Sequence, residues 1–314
     1  MNWVAVDLIL TAFLVLTNKH PGYLGHDGNK LSLPYFADPE TLPAPLPTPE
    51  EIEASHEILK ASASHRIVRV GTHYAIKYGV GVQLIEGENM LFVRRQCPSI
   101  MIPTVYAMFS HDREGNGHPP TNYIVMEYVP GKNLESCWSS LDERAKGDVA
   151  AKLRAYFNQM RKIPSPGYFG ALGKRPFCDD FVWLKEECED DKSQHYLTSG
   201  PFDSEAALLD ALVAKYEFHT QGVLQDGYRK HEYYRYMLPR YSRTAISQLK
   251  NVMLREGDGD VVIIDWESAA WHPRYWEFYA TMFCCQWKDD WHLWVGQILD
   301  EYPNEFAWMN MIFR

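Results

Sequence analysis

Short apolar runs and a later helical periodicity divide the chain into two kinds of region. Between residues 67 and 129 the apolar residues fall in short runs separated by turn residues, which is typical of buried strands. From Leu141 to Ile163 they recur at the spacing of one helix face, as at Val149, Leu153 and Tyr156. The pattern therefore predicts a strand-rich first part followed by a helical second part.

The first part contains two residues whose positions favour a site. The predicted strands are Ile67 to Val70, Tyr74 to Ile76, Ile102 to Phe109, and Tyr123 to Val129, the last ending at Pro130-Gly131. Lys77 directly follows the second of these runs. Glu86 opens a helical stretch whose Met90 and Val93 suit a buried face, whereas Glu88 lies on another face.

A β-hairpin is predicted late in the chain. The apolar runs Val252 to Leu254 and Val261 to Ile264 flank a turn rich in Gly and Asp. With the turn centred near Asp258, antiparallel pairing places Asn251 opposite Asp265 at the open end. An amide oxygen beside a carboxylate suits Mg²⁺, which takes few protein ligands. The alternative is that both side chains only cap the strand ends.

The segment before the strands has two predicted parts. Residues 34–49 are too rich in proline for regular structure and form an extended lead-in. Thr48 then caps a helix, because Pro49 suits its first position and Glu51 completes a capping box. We expect this helix to continue to about Lys60.

Composition excludes several classes of protein. With 314 residues, an apolar share of 46% and ten Trp, the chain is folded rather than disordered. A net charge of −10 argues against a nucleic-acid partner. The apolar run Leu8 to Leu16 is too short to span a membrane. None of the six Cys forms a Cys-x-x-Cys pair, so we expect a reducing, cytoplasmic environment; they lie at positions 97, 137, 178, 188, 284 and 285.

The order of these features resembles the aminoglycoside phosphotransferase family. The resemblance rests on Tyr74-Ala-Ile-Lys77, on Glu86, on the strand that ends at Pro130, on Asn251, and on Ile264-Asp-Trp-Glu267. The phrase Ile163-Pro-Ser-Pro-Gly-Tyr-Phe-Gly170 is similar to one in fungal members. The family implies an α+β, protein-kinase-like fold with two lobes, a small antiparallel-sheet N-lobe and a larger, mainly helical C-lobe. Residues 1–44 would be an N-terminal extension and lead-in, 45–128 the N-lobe and 129–314 the C-lobe.

The resemblance also implies ATP and Mg²⁺ as cofactors and a small-molecule hydroxyl as the substrate. Lys77 would pair the α- and β-phosphates and Glu86 would hold Lys77. Asn251 and Asp265 would bind the metal. The remaining nucleotide contacts would come from the loop before the first strand, which lacks a Gly-x-Gly-x-x-Gly, and from the backbone at the lobe junction: Ser62, Ser64, Glu127, Tyr128 and Val129.

One motif of the family is missing. Its catalytic loop reads His-Gly-Asp, with the Asp five residues before the metal-binding Asn. Here Ile246 occupies the Asp position and Thr244 the His position, and the nearest upstream carboxylate is Glu232. Either the protein is a non-catalytic pseudo-phosphotransferase, or the sequence derives from a mis-joined gene model. Because a positioned base contributes about 10²- to 10⁴-fold, the chain as written is expected to be a poor catalyst.

Overall fold

The computed structural model describes residues 31–112, 119–178, 200–214, 248–285 and 289–313. The chain divides into two compact units. The first contains the described residues up to Arg95 and those from Ile102 to Pro130; the second contains Gln96–Met101 and the described residues from Gly131 onward. One unit is built on an antiparallel sheet and the other mainly on helices, so the expected α+β class is confirmed.

The first unit is a six-stranded antiparallel sheet in the order β1-β5-β6-β4-β3-β2. Its strands are β1 (Tyr35–Phe36), β2 (Ile58–Ala61), β3 (Arg66–Val70), β4 (Tyr74–Gly79), β5 (Val105–His111) and β6 (Thr121–Glu127). Each of the four apolar runs predicted as strands between residues 67 and 129 contains a strand of this sheet, and all of these strands except β3 bury most of their residues. Two helices accompany it, α1 (Pro49–Glu53) and α2 (Ile85–Gln96).

The start of this unit differs from the sequence-based expectation in two places. The capping box at Thr48 is present: Thr48 Oγ1 accepts from Glu51 N, and the Glu51 carboxylate accepts from Thr48 N. The predicted continuation to Lys60 is wrong, since α1 ends at Glu53 and β2 pairs with β3 instead. Pairing with β3 satisfies the backbone there and overrides helix propensity.

The proline-rich lead-in is not wholly irregular either. Its residues Tyr35 and Phe36 pair with Met108 and Ala107 of β5. Residues of the lead-in and of α1 pack on one face of the sheet around a core rich in aromatic rings. Ile52 of α1 is fully buried in that core. The lead-in thus supplies packing surface to the sheet.

The second unit contains small sheets and most of the helical residues. Strand β7 (Gly131–Asn133) pairs with β9 (Val252–Arg255), which pairs with β10 (Val261–Ile263); β8 (Gly170–Ala171) pairs with β11 (Ala270–Trp271). The helices are α3 (Leu134–Cys137), α4 (Glu143–Met160), α5 (205–214), α6 (Trp276–Cys284), α7 (Trp291–Ile298) and α8 (Pro303–Phe313).

Local signals explain two of these helices. Asp142 Oδ1 accepts from Ala145 N and caps α4, which buries Val149, Leu153 and Tyr156 as the periodicity predicts. Ser204 Oγ accepts from Ala207 N at the start of α5. The helix predicted over His231 to Leu238 lies outside the described residues. Among the helices that the structure describes, none is long and apolar enough to cross a membrane.

Candidate functional site

The first unit holds a buried ion pair between Lys77 of β4 and Glu86 of α2. The Nζ–Oε2 distance is 2.6 Å, and both residues are almost fully buried. Lys77 lies between Ile67 of β3 and Ile124 of β6 in the sheet, so neighbouring strands fix its backbone. Two ions lose several kcal/mol each of hydration on such burial, and a function commonly accounts for that cost.

The start of α2 positions Glu86 beneath the sheet. Glu86 N donates to Gln83 O at 3.1 Å in the turn that opens the helix. Glu88 of the same helix is also buried. The bond from Lys77 runs to Glu86, the partner that the family resemblance implied.

Ser62 and Ser64 lie in the turn that joins β2 to β3. Ser62 closes this turn on His65: its N–H and hydroxyl donate to His65 O at 2.9 and 3.0 Å, and its Oγ accepts from His65 N at 3.2 Å. His65 Nδ1 lies 2.9 Å from Ser62 Oγ and 3.4 Å from Ser64 Oγ. The Ser62 hydroxyl therefore stabilises the turn itself. The hydroxyl of Ser64, an exposed residue, has the longer of the two contacts with His65 Nδ1.

The segment Glu127 to Val129 ends the central strand of the first unit. Glu127 N donates to Thr104 O and Tyr128 N donates to His73 O, both at 2.8 Å. The Glu127 carboxylate accepts from the backbone and hydroxyl of Thr104. Two of the three N–H groups of this segment are thus used within the unit.

In the second unit the predicted hairpin is present, but its register differs by one residue. Val252 pairs with Ile263, and Ile264 N donates to Asn251 O at 2.8 Å. Asn251 is therefore opposite Ile264, and its predicted pairing with Asp265 is wrong. The cause is the turn, in which Arg255 pairs with Asp260 and encloses four residues instead of an odd number.

Asp265 follows the hairpin directly and has a left-handed backbone, with φ of 62°. Such a conformation is uncommon outside glycine, and Asp is among the residues that tolerate it best. It ends the alternation of the strand, so the register alone does not decide the direction of the Asp265 side chain. Strained backbone of this kind clusters at functional positions.

A second carboxylate accompanies Asp265. An oxygen of Glu267 lies within 4.8 Å of one from Asp265. Sequence reasoning did not include Glu267 among the metal ligands, although its spacing of two residues from Asp265 was a usable signal. Asn251 itself is buried and directly precedes β9, at the same open end of the hairpin as Asp265. The chemistry of these donors, carboxylate and amide oxygens, fits a hard cation such as Mg²⁺.

Local packing fixes the hairpin that carries these residues. Ile263 N donates to Met101 O at 3.0 Å, and Tyr156 of α4 donates its hydroxyl to Val261 O at 3.1 Å. The indole of Trp266, fully buried, donates to Ile263 O at 2.9 Å. Ile246 and Thr244, at the expected positions of the catalytic loop, lie outside the described residues.

Comparison with known proteins gives a likeness to solved structures only. No family model matches the chain, and no curated protein matches it. The chain is similar to the GDP complex of wild-type aminoglycoside 2'-phosphotransferase-IIIa, at 13% identity and a TM-score of 0.46, over 82% of this chain and 81% of that one. It is also similar to ADP-bound aminoglycoside phosphotransferase APH(2'')-Ib, at 12% identity and a TM-score of 0.43, over 81% and 78%.

A third similar structure is WaaP in complex with acyl carrier protein. Here the identity is 13% and the TM-score 0.39, over 84% of this chain and 90% of that one. Likenesses at such identities concern the course of the chain and say nothing of its substrate or activity. Any functional conclusion must therefore come from the site residues of this chain.

Proposed function

We propose that this protein binds ATP with Mg²⁺ and derives from phosphotransferases that phosphorylate a hydroxyl of a small molecule. The observation that carries the proposal is the buried Lys77–Glu86 pair, with its 2.6 Å separation. A lysine in an interior strand, held by a carboxylate from the next helix, is the arrangement that presents an ammonium to phosphate oxygens. A purely structural pair would gain little from this degree of burial.

The other nucleotide contacts follow from the hydrogen bonds of the first unit. The Ser64 hydroxyl is the side-chain donor of the β2–β3 turn for a phosphate, because Ser62 closes that turn. Backbone groups of the segment from Glu127 to Val129 would face the adenine edge. In the second unit, Asn251 and Asp265 would hold Mg²⁺ with Glu267 beside them. Bound Mg²⁺ would neutralise charge that develops on the phosphates.

The Ile at position 246 favours a second candidate, a non-catalytic nucleotide-binding protein. Isoleucine can neither accept the proton of a substrate hydroxyl nor orient it. Loss of such a base costs about 10²- to 10⁴-fold in rate. Phosphoryl transfer relies more on positioning and electrostatics, so slow residual transfer is compatible with the site.

Calorimetric titration with ATP and Mg²⁺ tests the proposal. We expect the wild-type chain to bind, and Lys77→Ala to bind at least about tenfold more weakly, since a charge-assisted hydrogen bond to phosphate is lost. Lys162→Ala, which removes an exposed lysine of the second unit, is the matched control and should bind normally. Equal affinity of wild type and Lys77→Ala would remove Lys77 from the site.

Two further variants separate metal binding from catalysis. Asp265→Asn keeps the side-chain volume and removes the charge, so ATP binding should lose its dependence on Mg²⁺ while metal-free binding changes little. Ile246→Asp restores the carboxylate at the family's catalytic position. A rise in ATP turnover in Ile246→Asp would identify a phosphotransferase that lacks its base; unchanged turnover with intact binding would favour the non-catalytic candidate.

A further inference from the structure

The residue next to Glu86 is a glycine that lies against the sheet. Gly87 is the third residue of α2, and it is buried. A Cβ atom at this position would overlap the Met108 sulfur and would lie 3.0 Å from Met108 Cγ and 3.5 Å from Ile124 Cγ2. Carbon atoms in van der Waals contact are about 3.5–4.0 Å apart. The helix therefore approaches the sheet at Gly87 more closely than any side chain would allow.

The strands beneath Gly87 belong to the same row as Lys77. Lys77 of β4 pairs with Ile124 of β6, and Ile124 pairs with Met108 of β5. Residues directly opposite each other in antiparallel strands point to the same face of the sheet. Lys77, Ile124 and Met108 thus form one row on the face that α2 covers. Glu86 contacts Lys77 at one end of this row, and Gly87 lies against Ile124 and Met108.

We propose that Gly87 is a positioning residue, which sets the distance between α2 and the sheet at which Glu86 pairs with Lys77. A methyl group at Gly87 would have to move the helix away from Met108 by more than about 1 Å to restore an ordinary contact with its sulfur. Starting from 2.6 Å, such a shift takes the Nζ–Oε2 pair to the limit of hydrogen bonding. The inference rests on the proposed function only where nucleotide binding is concerned.

Met108 has little room to absorb the added atom. It is fully buried, so its thioether cannot turn toward solvent. Methionine adapts more readily than other core residues, and a rotamer change within the core is the competing outcome. Close packing of the interior nevertheless transmits a volume increase of one methyl group to its neighbours.

The experiment compares Gly87→Ala with three matched variants. Gly147→Ala places the same substitution in α4, where the nearest atom to the new Cβ is 3.8 Å away in Trp294, so it controls for helix propensity. Met108→Ala alone controls for the loss of core volume. Gly87→Ala/Met108→Ala removes the atoms that the new methyl group would overlap, and it should restore the wild-type position of the helix.

Two readouts are measured in each background. The first is the coupling between Lys77→Ala and Glu86→Ala in the unfolding equilibrium without nucleotide, from a double-mutant cycle. We expect about tenfold coupling or more in the wild type, a fall to less than about threefold in Gly87→Ala, and recovery in Gly87→Ala/Met108→Ala. The second is the affinity for ATP with Mg²⁺, which should fall about tenfold in Gly87→Ala, recover in the double variant and stay normal in Gly147→Ala.

The outcomes separate the positioning role from simple packing and from the proposed function. Lower stability of Gly87→Ala with wild-type coupling would overturn the inference, because the glycine would then serve packing alone. If Gly87→Ala does not fold, the double variant decides: coupling restored supports the inference, and coupling absent overturns it. If the wild type does not bind ATP, the proposed function fails, yet the nucleotide-free coupling still tests the role of Gly87.

Discussion

Two lysine–carboxylate pairs, one in each unit, have similar geometry and opposite surroundings. Lys77–Glu86 spans 2.6 Å with side chains only 4% and 3% exposed. Lys146–Asp290 spans 2.8 Å with side chains 12% and 39% exposed. In the second pair, water remains in contact with the carboxylate, so little hydration is lost. Both ions of the first pair lose nearly all of their hydration. A structural role alone does not require that loss.

The partners of the two carboxylates differ as well. Asp290, at the start of α7, accepts from the indole N–H groups of Trp138 and Trp294 at 2.8 and 3.2 Å. Its bond from Lys146 is the main cause that holds the pKa of Asp290 below its ordinary value. Asp290 thereby connects the start of α7 to α4 and to Trp138 just before α4. The comparison shows that a partly exposed pair surrounded by donors is a structural connection, whereas a fully buried pair within a sheet indicates a site.

The largest expected effect comes from breaking the buried pair. Glu86→Leu leaves the Lys77 ammonium buried beside an apolar side chain, so the free energy of unfolding should fall by about 3–5 kcal/mol. Lys77→Met/Glu86→Leu removes both charges and should be as stable as the wild type or more stable by about 1–4 kcal/mol. Urea unfolding of the three proteins measures both changes.

The same pair of substitutions in the second unit is the control. Lys146→Met/Asp290→Leu should not recover stability, because the indole N–H groups of Trp138 and Trp294 then lose their acceptor. The distinction between the two pairs would be wrong if both double variants gained stability, or if Glu86→Leu unfolded at the wild-type urea concentration.

His272 of the second unit is a buried base that, unlike Lys77, stays neutral. Both ring nitrogens of His272 are buried, and its ring stacks between Phe177 and Trp276 at 4.6 and 4.7 Å. Burial lowers the pKa of His272 from 6.5 to about 3, and the Ser268 backbone offsets only part of this effect. Unlike Lys77, this group avoids the cost of burial by remaining uncharged.

The sign of the resulting pH dependence follows from the two pKa values. Above pH 6.5 His272 is neutral in both states and contributes nothing. Between pH 6.5 and 3 only the unfolded chain takes up the proton, so the stability falls by about 1.4 kcal/mol per pH unit, or about 2 kcal/mol by pH 5. His272→Phe, which keeps an aromatic ring, should show a correspondingly shallower slope in urea unfolding from pH 7 to 5. Equal slopes would show that His272 is protonated in the folded protein.

Sequence reasoning succeeded where neighbouring residues encode the structure. The capping box at Thr48, the start of α2 beside Glu86, and the hairpin around Asp258 all depend on residues a few positions apart. Because these features depend on neighbouring residues, they are present in the folded structure. The Lys77–Glu86 pair followed from the family resemblance, whose two residues lie only nine positions apart in the chain.

The misses depend on partners or geometry that the local sequence does not specify. Strand β2 is exposed along its whole length and has no apolar alternation, so only its pairing with β3 defines it. The hairpin register depended on whether the turn held an odd or even number of residues, which the turn composition alone left open. The bond from Trp138 to Asp290 joins residues 152 positions apart, so no pattern of neighbouring residues predicts it.

A smaller effect is expected from Asp290→Ala. The substitution removes the acceptor of Trp138, which is fully buried, and of Trp294 and Lys146. Because the carboxylate is partly exposed, water can reach the vacated position, and the loss should be about 1–2 kcal/mol rather than that of a buried ion pair. Asp290→Asn keeps an acceptor oxygen and should lose less. ATP affinity should not change in either variant; a fall in affinity would mean that this pair is not merely structural.

The smallest effect is expected where an ion pair lies at the surface. Asp300 accepts from Arg154 at 2.6 Å and from Arg161 at 3.1 Å, and about half of its side chain is exposed. Exposed pairs of this kind contribute about 0.2–1 kcal/mol, since water and salt screen them. Asp300→Ala should therefore cost less than about 1 kcal/mol in urea unfolding at low salt, and the difference should shrink in 1 M NaCl. A cost that equals that of Asp290→Ala and persists in high salt would show that exposure does not rank these pairs, and the contrast between the two units would then need another cause.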